Sequence, residues 1–235
     1  IGQTIPFTEG GGLHVMQGDV NIALTTPQSL FQGGFMCNGV PLHRTSIYLT
    51  NGAQWNVDCW EPRNFLTKFE GGKNKDARGI MNLPDKIMEY GGGQPMKINK
   101  YSGYTLINYG RMIVDTPVAG ELTIDSAEKG SYLTLRTDRN GLEEDQSQVD
   151  AVLEKLANKL IYTGYVTGER HLLGELEIAE GLTAGTSIWK NRSISFDEQG
   201  RGHLLSKISL PITGTPADTL YAAYADEGFN TYTFS

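Results

Sequence analysis

Two stretches of the chain, KINKYSGYTL at Lys97–Leu106 and LTIDSAEKGSYLTL at Leu122–Leu135, follow one pattern. Each begins with a short segment in which apolar residues alternate with polar or small ones. A small polar turn that contains glycine follows, and a second alternating segment ends the stretch. Alternation with a period of two indicates a strand that buries one face and solvates the other. Both stretches are therefore predicted to form a strand, a turn and a second strand.

The predicted strands recur at a similar spacing along the chain. Ile22 and Ile47 are separated by about 25 residues, and Ile98 and Ile124 are separated by nearly the same interval. The interval from Ile124 to Ile178 is close to twice that spacing. A unit of about 25 residues with two or three short strands is typical of one coil of a β-solenoid, in which the next coil covers the apolar face that one coil leaves bare. The sequence therefore predicts an all-β fold of the parallel β-helix type.

The same alternation appears in further segments that are bounded by Gly, Asn, Asp or Pro. No helices are inserted regularly between these segments, which argues against a doubly wound α/β sheet. A pilin-like β-sandwich, with a strand roughly every 8–12 residues, is the alternative architecture. The predicted strands are Val20–Leu24, Ser46–Thr50, Gln54–Asp58, Met96–Ile98, Tyr104–Ile107, Glu121–Ile124, Tyr132–Arg136, Glu175–Ile178, Ser193–Phe196 and Lys207–Leu210.

One segment breaks the strand pattern and predicts a helix within residues 147–161. Its apolar residues fall at i, i+3, i+4, i+7, i+8 and i+11, which is the spacing of one helical face. Ser147 with Asp150 three residues later is a variant capping box, and Gly164 is available to end the helix. We expect this helix to flank or plug the solenoid and to bury its apolar stripe there. The stripe consists of Val149, Val152, Leu153, Leu156, Ala157 and Leu160.

The charge balance argues against two classes of partner. The 235 residues include 20 Lys and Arg against 27 Asp and Glu, which gives a formal net charge of −7. A nucleic-acid-binding protein needs a basic surface to replace phosphate counterions, and an amphipathic membrane binder is rich in Lys and Arg. No apolar run reaches the roughly 18 residues that a membrane-spanning helix needs, so no transmembrane segment is predicted.

The sequence contains no recognisable motif for catalysis or metal binding. None of the four histidines has a second His or Cys two to five residues away, so they form no local metal site. His203, in the segment Gly200–His203, is interpreted as a turn histidine, because the chain lacks the Asp-Asp pair of solenoid polysaccharide hydrolases. The Gly-x-Ser-x-Gly motif is also absent. The sequence therefore predicts a protein that is not an enzyme and that needs no cofactor or metal.

Three segments carry a resemblance to a known family: LTNGAQWNV at Leu49–Val57, INKYSG at Ile98–Gly103, and residues 149–202, which include GELEIAEGLTA at Gly174–Ala184. Together they resemble the passenger regions of large autotransporter adhesins of Gram-negative bacteria. The resemblance implies a right-handed parallel β-helix that is exported through the outer membrane to the cell surface. It implies adhesion, self-aggregation or display rather than catalysis, with a role in virulence. The implied partners are host-cell or bacterial surface molecules, including glycans, or a second copy of the chain.

The resemblance also divides the chain and bears on its two cysteines. It covers residues 19–202, so we expect an N-terminal extension or cap at 1–18 and C-terminal strands or a cap at 203–235. The interval between Cys37 and Cys59 is close to the length of one coil. Stacked residues in adjacent coils lie about 4.8 Å apart, within the Cα separation that a disulfide needs. We expect an extracellular disulfide, and two buried thiols in a reducing compartment are the alternative.

Five aromatic residues are candidates for contacts with sugar rings: Trp60, Tyr101, Tyr104, Tyr109 and Trp189. The structural interpretation is that such rings lie in the core or on ledges beside turns. Two other functions stay open. A fimbrial subunit of sandwich fold would explain the alternating strands and the disulfide. A solenoid enzyme that degrades polysaccharides would instead show clustered carboxylates on one face of the solenoid.

Overall fold

The computed structural model of the chain describes residues 13–14, 20–33, 35–36, 45–57, 64–86, 95–137, 146–178 and 192–205. The chain divides into two compact units, Ile1–Leu204 and Leu205–Ser235. Every described strand and helix lies in the first unit. Within the described ranges, no helix is long and apolar enough to cross a bilayer.

Short strands make up most of the described residues. The strands are β1 (Leu13–His14), β2 (Val20–Leu24), β3 (Leu30–Gly33), β4 (Phe35–Met36), β5 (Thr45–Leu49), β6 (Gln54–Val57), β7 (Asn64–Glu70), β8 (Gly79–Leu83), β9 (Met96–Ser102), β10 (Tyr104–Tyr109), β11 (Leu122–Ala127), β12 (Ser131–Thr137), β13 (Leu160–Tyr162), β14 (Leu172–Ile178), β15 (Arg192–Phe196) and β16 (Gly202–Leu204). The helices are α1 (Arg111–Asp115), α2 (Gln146–Ala157) and α3 (Thr163–Val166).

The strands form a β-solenoid with two parallel sheets. The short sheet contains β2, β5, β7, β9, β11 and β13, and the long sheet contains β3, β6, β8, β10, β12 and β14, followed by β15 and β16. Each coil contributes one strand to each sheet, so the coils are numbered 1 to 6, from β2–β3 to β13–β14. A separate parallel pair joins β1 to β4. The parallel β-helix predicted from the sequence is confirmed.

The sandwich alternative is wrong for this chain. Apart from isolated bridges, antiparallel pairing in the described residues is limited to β14 with β15 and β15 with β16. A sandwich is built from antiparallel neighbours throughout. The fold on which the fimbrial interpretation depended is therefore not the fold of the described chain.

The spacing of the predicted strand centres matches the register of the stack in two places. Ile22 pairs with Ile47 between coils 1 and 2, and Ile98 pairs with Ile124 between coils 4 and 5. Both pairs lie in the short sheet. Isoleucine recurs because stacked coils need an apolar side chain at the equivalent register position of each strand.

The two stretches that follow one pattern stack directly on each other in coils 4 and 5. Tyr104 pairs with Tyr132 where the chain enters the long sheet. Gly103 and Gly130 turn the chain from the short sheet to the long sheet with φ angles of 78° and 83°. This left-handed region is costly for residues that carry a Cβ atom, which explains the glycine in each turn.

The longer interval, from Ile124 to Ile178, does not mark two coils, and that interpretation is wrong. Ile124 pairs with Tyr162 in the short sheet. Ile178 lies in the long sheet, where it pairs with Thr137. The interval from β11 to the next strand of the short sheet, β13, is longer than the earlier intervals because α2 is inserted between them.

Aromatic rings line the core from coil 1 to coil 4. The ring centroids of Phe31 and Trp55 are 6.0 Å apart, those of Trp55 and Phe69 are 6.3 Å apart, and those of Phe69 and Tyr101 are 5.8 Å apart. These are the separations of favourable aromatic pairs. Tyr101 joins the series because β9 changes phase: Ile98 and Tyr101 are both buried, although strict alternation would point Tyr101 outward.

Helix α2 confirms the helix predicted from the apolar stripe, but its ends differ from the prediction. Ser147 is the second residue of the helix, so it cannot be the N-cap. The helix ends at Ala157, because Leu160 already begins β13, and Gly164 lies in α3. The stripe residues are all buried: Val149, Val152, Leu153, Leu156, Ala157 and Leu160.

Candidate functional site on the outer face of the long sheet

Residues 71–78, which we call the strap, connect β7 to β8 and fold over the outer face of the long sheet. At the start of the strap, the Gly72 N–H donates to Tyr104 O (2.9 Å), and Gly72 O accepts from the Tyr104 N–H (2.8 Å). Near its end, Thr50 Oγ1 donates to Ala77 O (2.7 Å). The strap of coil 3 is therefore fixed to coils 2 and 4. Leu106, on β10, does not belong to the cluster of apolar side chains that fills the solenoid. It is nevertheless buried, on the face over which the strap folds.

One register row of the outer face contributes a polar side chain from each coil, and we call it the polar row. Its members are Gln32, Asn56, Asn82, Asn108, Arg136 and Glu177. Asn82 Nδ2 donates to Asn56 Oδ1 (2.7 Å), and Asn108 Nδ2 donates to Asn82 Oδ1 (2.8 Å). Arg136 donates to Glu177 Oε2 from Nη2 (2.6 Å) and Nε (3.1 Å). Amide ladders of this kind add side-chain hydrogen bonds to the backbone bonds between stacked strands.

Charged side chains from three places in the chain, the strap, β12 and β14, meet at the end of the polar row. This ion cluster consists of Lys75, Arg78, Arg136, Glu175 and Glu177. The two glutamates are two residues apart on β14, so they lie on the same face. Lys75 Nζ lies 2.5 Å from Glu175 Oε1 and 3.8 Å from Glu177 Oε1, and Arg78 Nη1 lies 3.8 Å from Glu177 Oε1. The strap therefore links coil 3 to coil 6.

Glu175 is a buried anion with its hydrogen bonds satisfied. Only 3% of its side chain is exposed. Besides Lys75, its carboxylate accepts hydrogen bonds from Tyr132 Oη (2.8 Å) and Thr134 Oγ1 (2.9 Å). A buried carboxylate is stable only where donors and a cation replace the lost water, and these three groups do so. Burial and the nearby Glu175 charge raise the pKa of Tyr132, which keeps the phenol protonated as a donor.

Glu177 is held in its ionised form. Burial opposes this, but the hydrogen bonds and charge of Arg136, together with Arg78 and Lys75, hold the pKa of Glu177 below its ordinary value. A general acid needs a carboxyl that is still protonated near neutral pH, and a lowered pKa works against this. The cluster thus keeps Glu177 as a partner for cations and does not present it as a proton donor.

The structure places the predicted sugar-binding tyrosines at two depths. Tyr101 and Tyr109 are fully buried in the core, and burial raises the pKa of each phenol. Neither ring exposes a face that a ligand could contact, which agrees with the interpretation of such rings as core residues. Tyr104 lies half-buried on the outer face and stacks on Tyr132 with 5.4 Å between ring centroids. Tyr104 is the predicted tyrosine that borders the ion cluster.

The other predicted residues fall outside the described residues. They are the candidate sugar contacts Trp60 and Trp189 and the expected disulfide partners Cys37 and Cys59. The ion cluster was not predicted from the sequence. Its available signal was the pair Glu175 and Glu177 on one face of a predicted strand.

Comparison with known proteins gives no family assignment for the chain. No protein-family model matches it, and no curated protein or solved structure matches it. In the part of the chain that the structure describes, no group of three or more His, Cys, Asp or Glu side chains is arranged to hold a metal ion.

Proposed function

We propose that the chain is a non-enzymatic stalk that displays adhesive segments, or itself mediates adhesion, at a bacterial cell surface. The observation that carries the proposal is how the outer face of the long sheet uses its polar side chains. Asn56, Asn82 and Asn108 bond to one another across coils, and Arg136 bonds to Glu177. An enzyme needs polar groups that are free to meet a substrate. A stalk needs coils that stay stacked, and these bonds serve that need.

The fold and the charge of the chain support the same proposal. A solenoid grows in length by adding coils and needs no larger core, which suits an extended surface protein. The net charge of −7 favours solubility and discourages non-specific association. The resemblance of LTNGAQWNV and INKYSG to autotransporter passengers supports export through the outer membrane and an extracellular location.

The proposed partners are surface molecules of host cells or other bacteria, with glycans as the favoured class. The stacked rings of Tyr104 and Tyr132 support this choice, since they lie beside the charged and hydroxyl groups of the ion cluster. Sugar recognition commonly combines an aromatic ring with polar groups of this kind. A second copy of the chain is the other partner to test, because such stalks also self-aggregate.

Adhesion of coated beads tests the proposal directly. Beads coated with the full chain are expected to attach to host cells or to one another more than beads coated with the heat-unfolded chain. Tyr104→Ala is expected to reduce attachment to glycan-bearing cells. The matched control is Tyr48→Ala, which removes a half-buried ring from the outer face of the short sheet and should leave attachment unchanged. Attachment no greater than that of the unfolded coat would contradict an adhesive function.

A polysaccharide-degrading enzyme is the second candidate, and one observation favours it. Glu175 and Glu177 lie side by side on one face of the solenoid, as such an enzyme requires. Their ion pairs and the lowered pKa of Glu177 argue against it. The test incubates the chain with neutral and acidic polysaccharides and measures new reducing ends. If the wild type releases reducing ends and Glu177→Gln does not, the chain is an enzyme and the stalk proposal is wrong.

A further inference from the structure

The hairpin of β15 and β16, which we call the terminal hairpin, covers coil 6, the last coil among the described residues. Tyr162 N–H, at the end of β13, donates to Gly200 O in the hairpin turn (2.7 Å). In the long sheet, β14 pairs with β15 where Leu176 lies opposite Arg192. An open strand edge is a template for pairing with another chain. The terminal hairpin protects the edges of coil 6 from such pairing.

His203, on β16, joins the terminal hairpin to α2. Its Nδ1 lies 2.7 Å from Glu154 Oε1, and its Nε2 lies 3.0 Å from Asp197 Oδ2. An ionised carboxylate only accepts hydrogen bonds, and a neutral imidazole donates from one nitrogen only. Both contacts are therefore hydrogen bonds at the same time only when the ring of His203 is an imidazolium.

The two carboxylates are held in place by backbone donors. Glu154 Oε2 accepts from the Leu204 N–H (2.7 Å). Asp197 Oδ1 accepts from the N–H groups of Gln199 (2.9 Å) and Arg201 (2.8 Å). Because these bonds fix the positions of both carboxylates, a change of pH near neutrality alters only the protonation of the histidine ring between them.

We propose that His203 is a proton-operated clasp, which holds the terminal hairpin against α2 while the ring is charged and loosens it when the ring is neutral. Loss of the proton leaves a nitrogen lone pair facing a carboxylate oxygen, so an attractive contact becomes a repulsive one. The side chains of His203, Glu154 and Asp197 are 38%, 40% and 32% exposed. Water therefore reaches the ring, and the proton exchanges without unfolding of the coils.

The groups around the ring set the sign of the pH dependence. The hydrogen bonds of Asp197 and Glu154, together with their charges, outweigh burial and raise the pKa of His203 above its ordinary value. The clasp therefore stabilises the closed hairpin fully below about pH 6.5, the ordinary histidine value, and this contribution is lost as the pH rises through the raised pKa. Burial opposes ionisation of Asp197, but its bonds to His203 and the turn N–H groups lower its pKa. Its contribution is lost only when the pH falls through that lowered value.

Four other charged groups of α2 and the hairpin engage different partners, and Glu198 lies exposed in the hairpin turn. On α2, Lys155 Nζ lies 3.0 Å from Asp115 Oδ1. Arg201 Nη1, in the hairpin, donates to Glu121 Oε1 (2.8 Å). In a further link between α2 and the hairpin, Arg192 Nη2 donates to Asp150 Oδ1 (3.1 Å). The arginine pairs keep their charge through neutral pH, so loss of the His203 proton loosens one link of several and opens the hairpin locally.

Two measurements on the full chain test the clasp: an NMR titration of the His203 ring, and hydrogen exchange of peptides from residues 192–204 between about pH 5.5 and about pH 8.5. After correction for intrinsic exchange, the opening equilibrium of the hairpin is expected to rise through the pKa that the titration gives. The rise should be tenfold for each unit by which that pKa exceeds about 6.5. Peptides from coils 4 and 5 should show no such step.

Substitutions separate the clasp from a merely structural histidine. His203→Gln is expected to abolish the step, because an amide does not titrate. His171→Gln is the matched control, since the ring of His171 faces Ala127 O (3.0 Å) in the coil stack, and it should keep the step. Equal hairpin exchange in the wild type at both ends of the range, or the same step in His203→Gln, would overturn the proposal. If His203→Gln fails to fold, Glu154→Gln must lower the NMR pKa of His203 and move the step with it, and an unmoved step overturns the proposal.

Discussion

Both sheets of the solenoid carry ion pairs on their outer faces, yet the pairs differ in burial. On the short sheet, Lys100 Nζ on β9 lies 2.9 Å from Oε1 of Glu128, the residue that follows β11, and about half of each side chain is exposed (53% and 51%). On the long sheet, Lys75 meets Glu175, whose side chain is 3% exposed. Solvent screens an exposed pair, whereas a buried carboxylate depends on its cation. Burial beneath the strap, rather than the presence of a charge pair, decides where charge holds the coils together.

Removal of the strap's cation is expected to have the largest effect on stability. Lys75→Met leaves the Glu175 carboxylate buried without its contacting cation. Loss of one partner of a buried pair costs about 3–5 kcal/mol, and because 42% of the Lys75 side chain is exposed, we expect about 2 kcal/mol. Urea unfolding followed by circular dichroism measures the free energy of unfolding. Lys100→Met on the short sheet is the control and should leave the midpoint unchanged, and an equal loss in both variants would contradict the comparison.

Replacement of both partners should recover part of that loss. In Lys75→Met combined with Glu175→Leu, no buried charge remains, so we expect the double variant to regain about 1 kcal/mol relative to Lys75→Met. Recovery is partial because the hydroxyls of Tyr132 and Thr134 lose their acceptor. A double-mutant cycle from urea unfolding gives the coupling energy. If the two single losses simply add, Lys75 and Glu175 do not act as a pair.

Removal of the central amide of the polar row is expected to have a smaller effect. Asn82→Ala deletes the hydrogen bonds to Asn56 and Asn108, and we expect a loss of about 1 kcal/mol. Ser46→Ala, on the outer face of the short sheet, serves as the comparison and should change the free energy of unfolding less. A similar loss in both variants would mean that the polar row adds nothing to the stacking of the coils.

The smallest expected effect concerns the acid side of the stability profile. Because the pKa of Glu177 is lowered in the folded chain, its ionised form stabilises the fold above its ordinary pKa of about 4.5. This contribution is lost as the pH falls through the lowered value. The stability difference between the wild type and Glu177→Gln should therefore shrink from pH 7 to about pH 3, as urea midpoints at both values would reveal. A difference that stays constant with pH would contradict the ion pairing of Glu177.

The coil repeat could be predicted because its signal is local and recurs. Ile22 with Ile47 and Ile98 with Ile124 are vertical neighbours in the stack, and each coil repeats the apolar residue of the one before. Strand β7 was not predicted, because its sequence lacks the regular alternation that identifies the other strands. Its buried residues Leu66 and Phe69 are three apart, as are Ile98 and Tyr101 in β9, so both strands interrupt the period of two that identifies strands.

The ion cluster could not be predicted because its contacts are far apart in sequence. Lys75 and Glu175 are separated by about 100 residues, and their meeting depends on the path of the strap across the outer face. Alternation in β14 places Glu175 and Glu177 on one face, but it does not reveal that the strap buries one of them. The position of Tyr101 could not be predicted either. Strict alternation in β9 would point its ring outward, but the change of phase in this strand places the ring in the core.

The strap also determines how the solenoid should respond to mechanical force. Hydrogen bonds between coils lie along the axis of the stack, so a pull on the two ends loads them in series, and the coils peel off one at a time. The strap bonds to coils 2 and 4 and reaches coil 6 through Lys75, so it crosses several interfaces at once. Under tension, the chain is expected to release coil 1 first at low force. Coils 2 to 6 should then hold as one block and rupture together in the highest force peak of the trace.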